Sequence, residues 1–171
     1  MCSIPTDKRT MSGFTPALAS SAGLSWRCVV EAGWQASDLA SPILTSRVTD
    51  ALRQHAVSNP VLLGGDVHEN WVGHVKADYA DPNSASVGVE FCGTSITSRS
   101  SGSAKLAERL AENPHFVFAD AQRKGYGVVE FTPRQLTTTL RVVDDVTRQD
   151  TQIETLARFT VQAGQPVVER A

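Results

Sequence analysis

The stretch that most constrains this chain is "SNPVLLGGDVHENW", residues 58–71. An apolar run of strand type, "VLLG", begins right after a proline and stops at two glycines. An aspartate follows, then a histidine two residues later. A short, uniformly apolar run suits a strand buried on both faces. Glycines at its end let the backbone turn sharply and approach a ligand closely. Upstream, "SPILTSRVTDALRQHAV" reads as a helix, with Ser41 as its cap and Pro42 in its first turn. Ile43, Leu44, Val48, Ala51, Leu52 and His55 share one stripe at helical spacing. Ser58-Asn59-Pro60 is expected to end the helix, because the residue before a proline avoids helical geometry. Helix, tight turn, buried strand and polar loop at the strand's C-terminal end are the parts of an α/β layer.

Asp66 and His68 stand two residues apart. On an extended segment they point the same way, so a carboxylate and an imidazole can converge on one cation or on two adjacent ones. That donor pair suits Zn, Mn and Fe, and tolerates Ca or Mg on the oxygen side. In open α/β sheets, ligands bind beyond the carboxyl ends of strands. The competing reading is a plain turn in which Asp66 makes an Asx hydrogen bond.

Downstream, "HVKADY" alternates like a strand, with Trp71 and His74 read as loop residues around it. Trp71 is expected to pack over the site mouth. "SVGVEFCGTSI" is a second strand with Val87, Val89 and Phe91 on one face, and Cys92 within it reads as a small buried hydrophobe rather than a ligand. "SAKLAERLAENP" is a short amphipathic helix carrying Leu106 and Leu110, stopped at Asn113-Pro114. Strand-like runs follow: "HFVFA", "YGVVEF" and "LTTTLRVV", the last two joined as a hairpin by "TPRQ". "ARFTVQAG" then turns Phe159 and Val161 inward. Strands after residue 85 are therefore expected to be mostly antiparallel.

Residues 1–37 are rich in Ser, Thr, Ala and Gly and lack a period of 2 or 3.6. They are expected to be a poorly ordered leader making few core contacts, with a short strand at Trp26–Val30. The length of 171 residues suits one domain with a real core. A net charge of -2 gives no broad basic surface for nucleic acid. No stretch is apolar enough to span a bilayer, and no secretory signal is read in the first residues. Cys2, Cys28 and Cys92 are an odd number without metal-type spacing.

"NPVLLGGDVHENWVGHVKADYADPNSASVGVEFCGTSITS" resembles the C-terminal half of the alkaline phosphatase D (PhoD-like) family of metallophosphoesterases. That family carries an N-P-V-x-L-x-G-D-V-H segment, a following Trp, a D-P turn and an E-F-x-G-T-S-I-S strand. "NPHFVFADAQRKGYGVVEFTP" is similar to its N-P-H, R-G-Y and V-T-P stretch, and the tail to its closing strands. The resemblance covers roughly residues 43–171. It implies an α/β fold, the C-terminal half of a calcineurin-like α/β/β/α sandwich, in which residues 38–171 form part of a phosphatase domain. It further implies a phosphomonoester or phosphodiester substrate and paired metals about 3.5–4 Å apart. The family's ions are calcium and ferric iron, with Mn, Zn or Mg as alternatives.

Carried over residue by residue, Asp66 and His68 match the metal motif. His68 and His115 become the candidate catalytic residues, His115 as a ligand or phosphate contact, against a second reading of His115 as a satisfied polar residue at a strand start. Thr94 and Ser95 read as strand-end residues holding backbone geometry. The family's earlier ligands (Asp, a Cys or Asp, a bridging Asp, an Asn) find no match. Asp7, Asp38 and Asp50 follow no strand-and-glycine turn, Asn59 precedes a proline, and Cys28 has no acidic partner nearby. The expectation is an incomplete copy holding half of a metal site. Its rivals are a non-catalytic β-rich binding module or truncated remnant, and a subunit that completes its site with another chain. A sheet edge left open by missing strands would favour self-association. Family members are usually exported, and the localisation of this chain stays open.

Overall fold

The computed structural model describes residues 17–19, 26–30, 42–99 and 103–171, with side chains at 48–99 and 104–171. Its order is β1 (Ala17–Ala19), β2 (Trp26–Val30), α1 (Pro42–Gln54), β3 (Pro60–Gly64), β4 (Asn70–Lys76) and β5 (Ser86–Cys92). A 3-10 turn (Ser103–Lys105) leads into α2 (Leu106–Glu112). Then come β6 (Phe116–Asp120), β7 (Lys124–Phe131), β8 (Gln135–Val143), β9 (Ile153–Gln162) and β10 (Glu169–Arg170).

Two sheets form. The first has the order β1-β2-β3-β5-β4-β6, the second β10-β9-β8-β7. Strands β2, β3 and β5 run parallel. Strand β4 reverses between β5 and β6, and the second sheet is antiparallel throughout, its β7–β8 hairpin closed at Thr132–Gln135. Inner faces meet in one core: Val61, Val72, Val89 and Phe91 from the first sheet against Leu136, Leu140, Ala157, Phe159 and Val161 from the second. The expected alternations at Val89/Phe91 and Phe159/Val161 are thus the inward faces of β5 and β9. On the other face of the first sheet, Trp71, Cys92 and Phe116 are covered by Leu106 and Leu110 of α2. The described residues therefore supply three layers, α/β/β.

Gly73 lets this packing happen. A Cβ there would lie 2.7 Å from Phe116 Cδ1, so only a glycine leaves room for that ring to lie across β4. The register between β4 and β6 shifts at Val72/Gly73. That irregularity sends Phe116 to the helix side, while Phe118 packs on the core between the sheets.

Local readings needed correction in several places. Helix α1 ends at Gln54, before the proline acts. Ala56 (φ 44°) takes the left-handed position, with Val57 N–H donating to Leu52 O (3.0 Å) and Ala56 N–H to Arg53 O (3.1 Å). This is the Schellman closure. Pro60 instead opens β3, which is deeply buried only at Pro60 and Val61. Trp71 and His74 are strand residues of β4, not loop. Strand β5 stops at Cys92, which is 1% exposed, and the following "GTSI" is loop. Within the expected leader 1–37, β2 matches the short strand read at Trp26–Val30 but lies inside the sheet, with Val30 opposite Leu63. Strand β1 also lies within 1–37, paired with β2; the other positions of 1–37, Asp7 included, and Asp38 lie outside the described residues.

Candidate metal centre

The topology gathers one set of loops at one end of the first sheet. Gly64 and Cys92 are register partners at the C-terminal ends of β3 and β5. Trp71 pairs with Cys92, and Asn70 with Asp120, so β4 begins and β6 ends there too. From Asp120 the chain crosses to the second sheet and enters it at Lys124. The turn carrying Asp66 and His68 sits at this end, as expected for a ligand site beyond strand termini.

That turn is not extended. Asp66 (φ 76°) and His68 (φ 61°) are both left-handed. Aspartate and histidine are among the side chains that tolerate this region, yet each such residue costs about 1–3 kcal/mol and persists only where neighbours over-determine it. The alternation argument that put both side chains on one side of an extended strand therefore does not apply. The turn itself sets their approach.

The neighbours are specific. His68 Nδ1 lies 2.8 Å from Arg99 O. A carbonyl only accepts, so Nδ1 carries a proton, and in the neutral tautomer this leaves the lone pair on Nε2. A metal-binding imidazole has this arrangement, with its second nitrogen donating to a fixed acceptor. The His68 carbonyl accepts from Thr94 Oγ1 (2.9 Å) and from Lys124 Nζ (2.9 Å). Glu69, 1% exposed, accepts from Trp71 Nε1 (2.9 Å) and Arg109 Nη1 (2.9 Å), and the Arg109 guanidinium lies 4.5 Å over the Trp71 ring. This ion pair between a buried carboxylate and a half-buried guanidinium fastens the turn to α2. Asn70 Oδ1 accepts from Thr94 N–H (3.2 Å). Thr94 and Ser95 hold backbone as expected, with Ser95 Oγ donating to Ser98 O (2.6 Å). Trp71, 2% exposed, is a wall between the sheet and α2 rather than a cover over the site mouth.

His115 does not join this group. It precedes β6, and Gly73 pairs with Phe116. His115 therefore sits near His74, roughly 13 Å along β4 from Asn70. Its carbonyl accepts from His74 N–H (2.9 Å), and its ring meets Tyr79 edge-on at 4.9 Å. The register thus separates His115 from Asp66 and His68, and the satisfied polar group does not hold, because Nε2 is buried without a hydrogen-bond partner among the described residues. Antiparallel pairing, invisible in the local sequence, sent it to the far end.

His115 has another consequence. Burial, then His74 and Lys76, pushes its pKa down from 6.5 to about 4. The unfolded chain therefore binds this proton more readily than the folded one. Stability is full above the unfolded value and falls as pH drops from about 6.5 toward 4. Urea unfolding at pH 7 and pH 4.5 should show a larger acid loss in the wild type than in His115→Phe. Equal losses in the two would refute this.

As a donor set, one carboxylate and one imidazole with a fixed tautomer fit part of the shell of one cation. They do not fit a pair of metals. No group of three His, Cys, Asp or Glu side chains able to hold an ion occurs among the described residues. Reading by motif missed Lys124, Glu69 and Arg109. The acid Glu69 beside His68 was the one local signal available.

A model of the PhoD-like phosphatase family matches residues 26–140, so the match begins at the first residue of β2. The chain is 37% identical over 127 residues to alkaline phosphatase D of Bacillus subtilis (strain 168), covering 72% of this chain and 22% of that protein. It superposes on a solved structure described as the structure of PhoD with a TM-score of 0.75 at 27% identity, over 85% of this chain and 31% of that one. The chain thus spans between a fifth and a third of the length of these relatives.

Proposed function

The chain belongs to the PhoD-like phosphatase family, and we propose that it carries one side of the metal site of a phosphoester hydrolase, with Asp66 and His68 as ligands. The observation that carries this reading is the His68 ring, whose Nδ1–H is spent on Arg99 O and whose Nε2 is left to bind. The chemistry such an ion supplies is polarisation of a phosphoryl oxygen and activation of a water. Asp66, exposed at the turn, offers its carboxylate from the same loop. Glu69, clamped by Arg109, holds the loop against α2. The proposed ions are calcium and iron, and Mn, Zn or Mg suit the same two donors.

A second reading is favoured by the absence of a third ligand among the described residues: a non-catalytic β-rich module of the same fold. Titration calorimetry of the 171-residue chain with Mn2+ separates the two. The metal reading expects weak single-site binding, lowered about tenfold or more by Asp66→Asn and by His68→Ala. A wild-type chain that binds no better than the double variant would leave the module reading. Self-association through a sheet edge belongs to this proposal as well, with β1 and β6 at the edges of the first sheet and β10 and β7 at those of the second.

A further inference from the structure

We infer that Lys124 is a positioning residue that reaches from the second sheet to hold the Asp66–His68 turn in its left-handed form. The inference rests on the reading of His68 as a ligand. Two left-handed residues in three need external restraint, and the restraint converges on one atom, the His68 carbonyl. Thr94 Oγ1 stands 2.9 Å from it but also 3.2 Å from Arg123 O. A hydroxyl has one proton, so Thr94 serves one carbonyl at a time. The Lys124 ammonium has three protons, and among the described residues its hydrogen bond goes to His68 O, at 2.9 Å. It is the donor that can serve that carbonyl without interruption.

Lys124 is well placed to do so. It is the first residue of β7, in register with Val143, so its backbone is held by the sheet. The next residue, Gly125, donates its N–H to Ser95 O at 3.1 Å, pinning the crossing between sheets to the loop after β5. Burial lowers the affinity of the amine for its proton, while Glu69 and Asp120 act the other way. What Lys124 reaches is the turn, 56 residues away in sequence.

The test uses the full 171-residue chain as wild type, Lys124→Met, Lys124→Arg and Thr94→Val, each first shown to keep its β content. Two readouts are taken: backbone 15N relaxation of residues 65–69 without metal, and Mn2+ affinity. Lys124→Met, which keeps the stem and removes the donor, should mobilise residues 65–69 and weaken Mn2+ binding about 10–100-fold, the usual cost of losing an outer-shell partner. Lys124→Arg should restore most of both. Thr94→Val should have a smaller effect on each. A Lys124→Met turn as rigid as the wild type overturns the inference, whatever the metal does. A mobile turn in a chain whose wild type binds no Mn2+ supports the clamp and refutes the metal reading instead.

Discussion

Phe159→Ala is expected to cost about 3–5 kcal/mol, a large share of the roughly 5–15 kcal/mol that holds a typical domain folded. Phe159 is 1% exposed and projects from β9 into the space between the sheets. There its ring meets Phe91 of β5 at 6.5 Å and Phe118 of β6 at 5.4 Å, both tilted. It is therefore the ring through which the antiparallel sheet grips two strands of the mixed sheet. Truncation removes burial and both aromatic contacts, and rigid strands on either side cannot close the gap. For a chain of this length the melting temperature should fall by about 6–20 °C. Phe159→Leu should lose much less, because it keeps most of the apolar volume. Thermal and urea unfolding of the three proteins checks this. A Phe159→Ala chain within about 1 kcal/mol of wild type would mean that the two sheets are not held by this contact.

The second large effect concerns turnover. The 171-residue chain is expected to hydrolyse an aryl phosphate several orders of magnitude more slowly than Bacillus subtilis alkaline phosphatase D, of which it covers 22%. A two-metal clamp stabilises attacking and leaving oxygens together, and it needs many more donors than one carboxylate and one imidazole. The described residues bring no third ligand to Asp66 and His68. His115, the one further candidate from the motifs, lies at the other end of β4. Turnover should be measured with added Ca, Fe, Mn or Zn, alongside Asp66→Asn. A wild-type chain as fast as the full enzyme, silenced by Asp66→Asn, would show that ligands lie among the side chains of residues 1–47 or 100–103, with Cys28 and Asp38 the first to replace.

Much of this fold was legible in the residues themselves. Apolar alternation marked the buried faces of β5 and β9, since a pleated strand turns every second side chain to the same side. Glycines and prolines marked where strands stop and turn, and the order of separated motifs identified the family. Those signals are local, or survive as a string. The centre depends on neither alone. Whether His115 meets His68 is decided by the register of β4 on β6, and a register is a property of two strands, set by how both pack. The left-handed turn at Asp66 and His68 replaced the extended segment because Arg99, Thr94 and Lys124 bond to His68 from three other loops and strands. The chemical types of the proposed ligands were thus written in "GGDVH". Their geometry was decided only when residues up to 56 positions away in the chain closed on one carbonyl and one ring nitrogen.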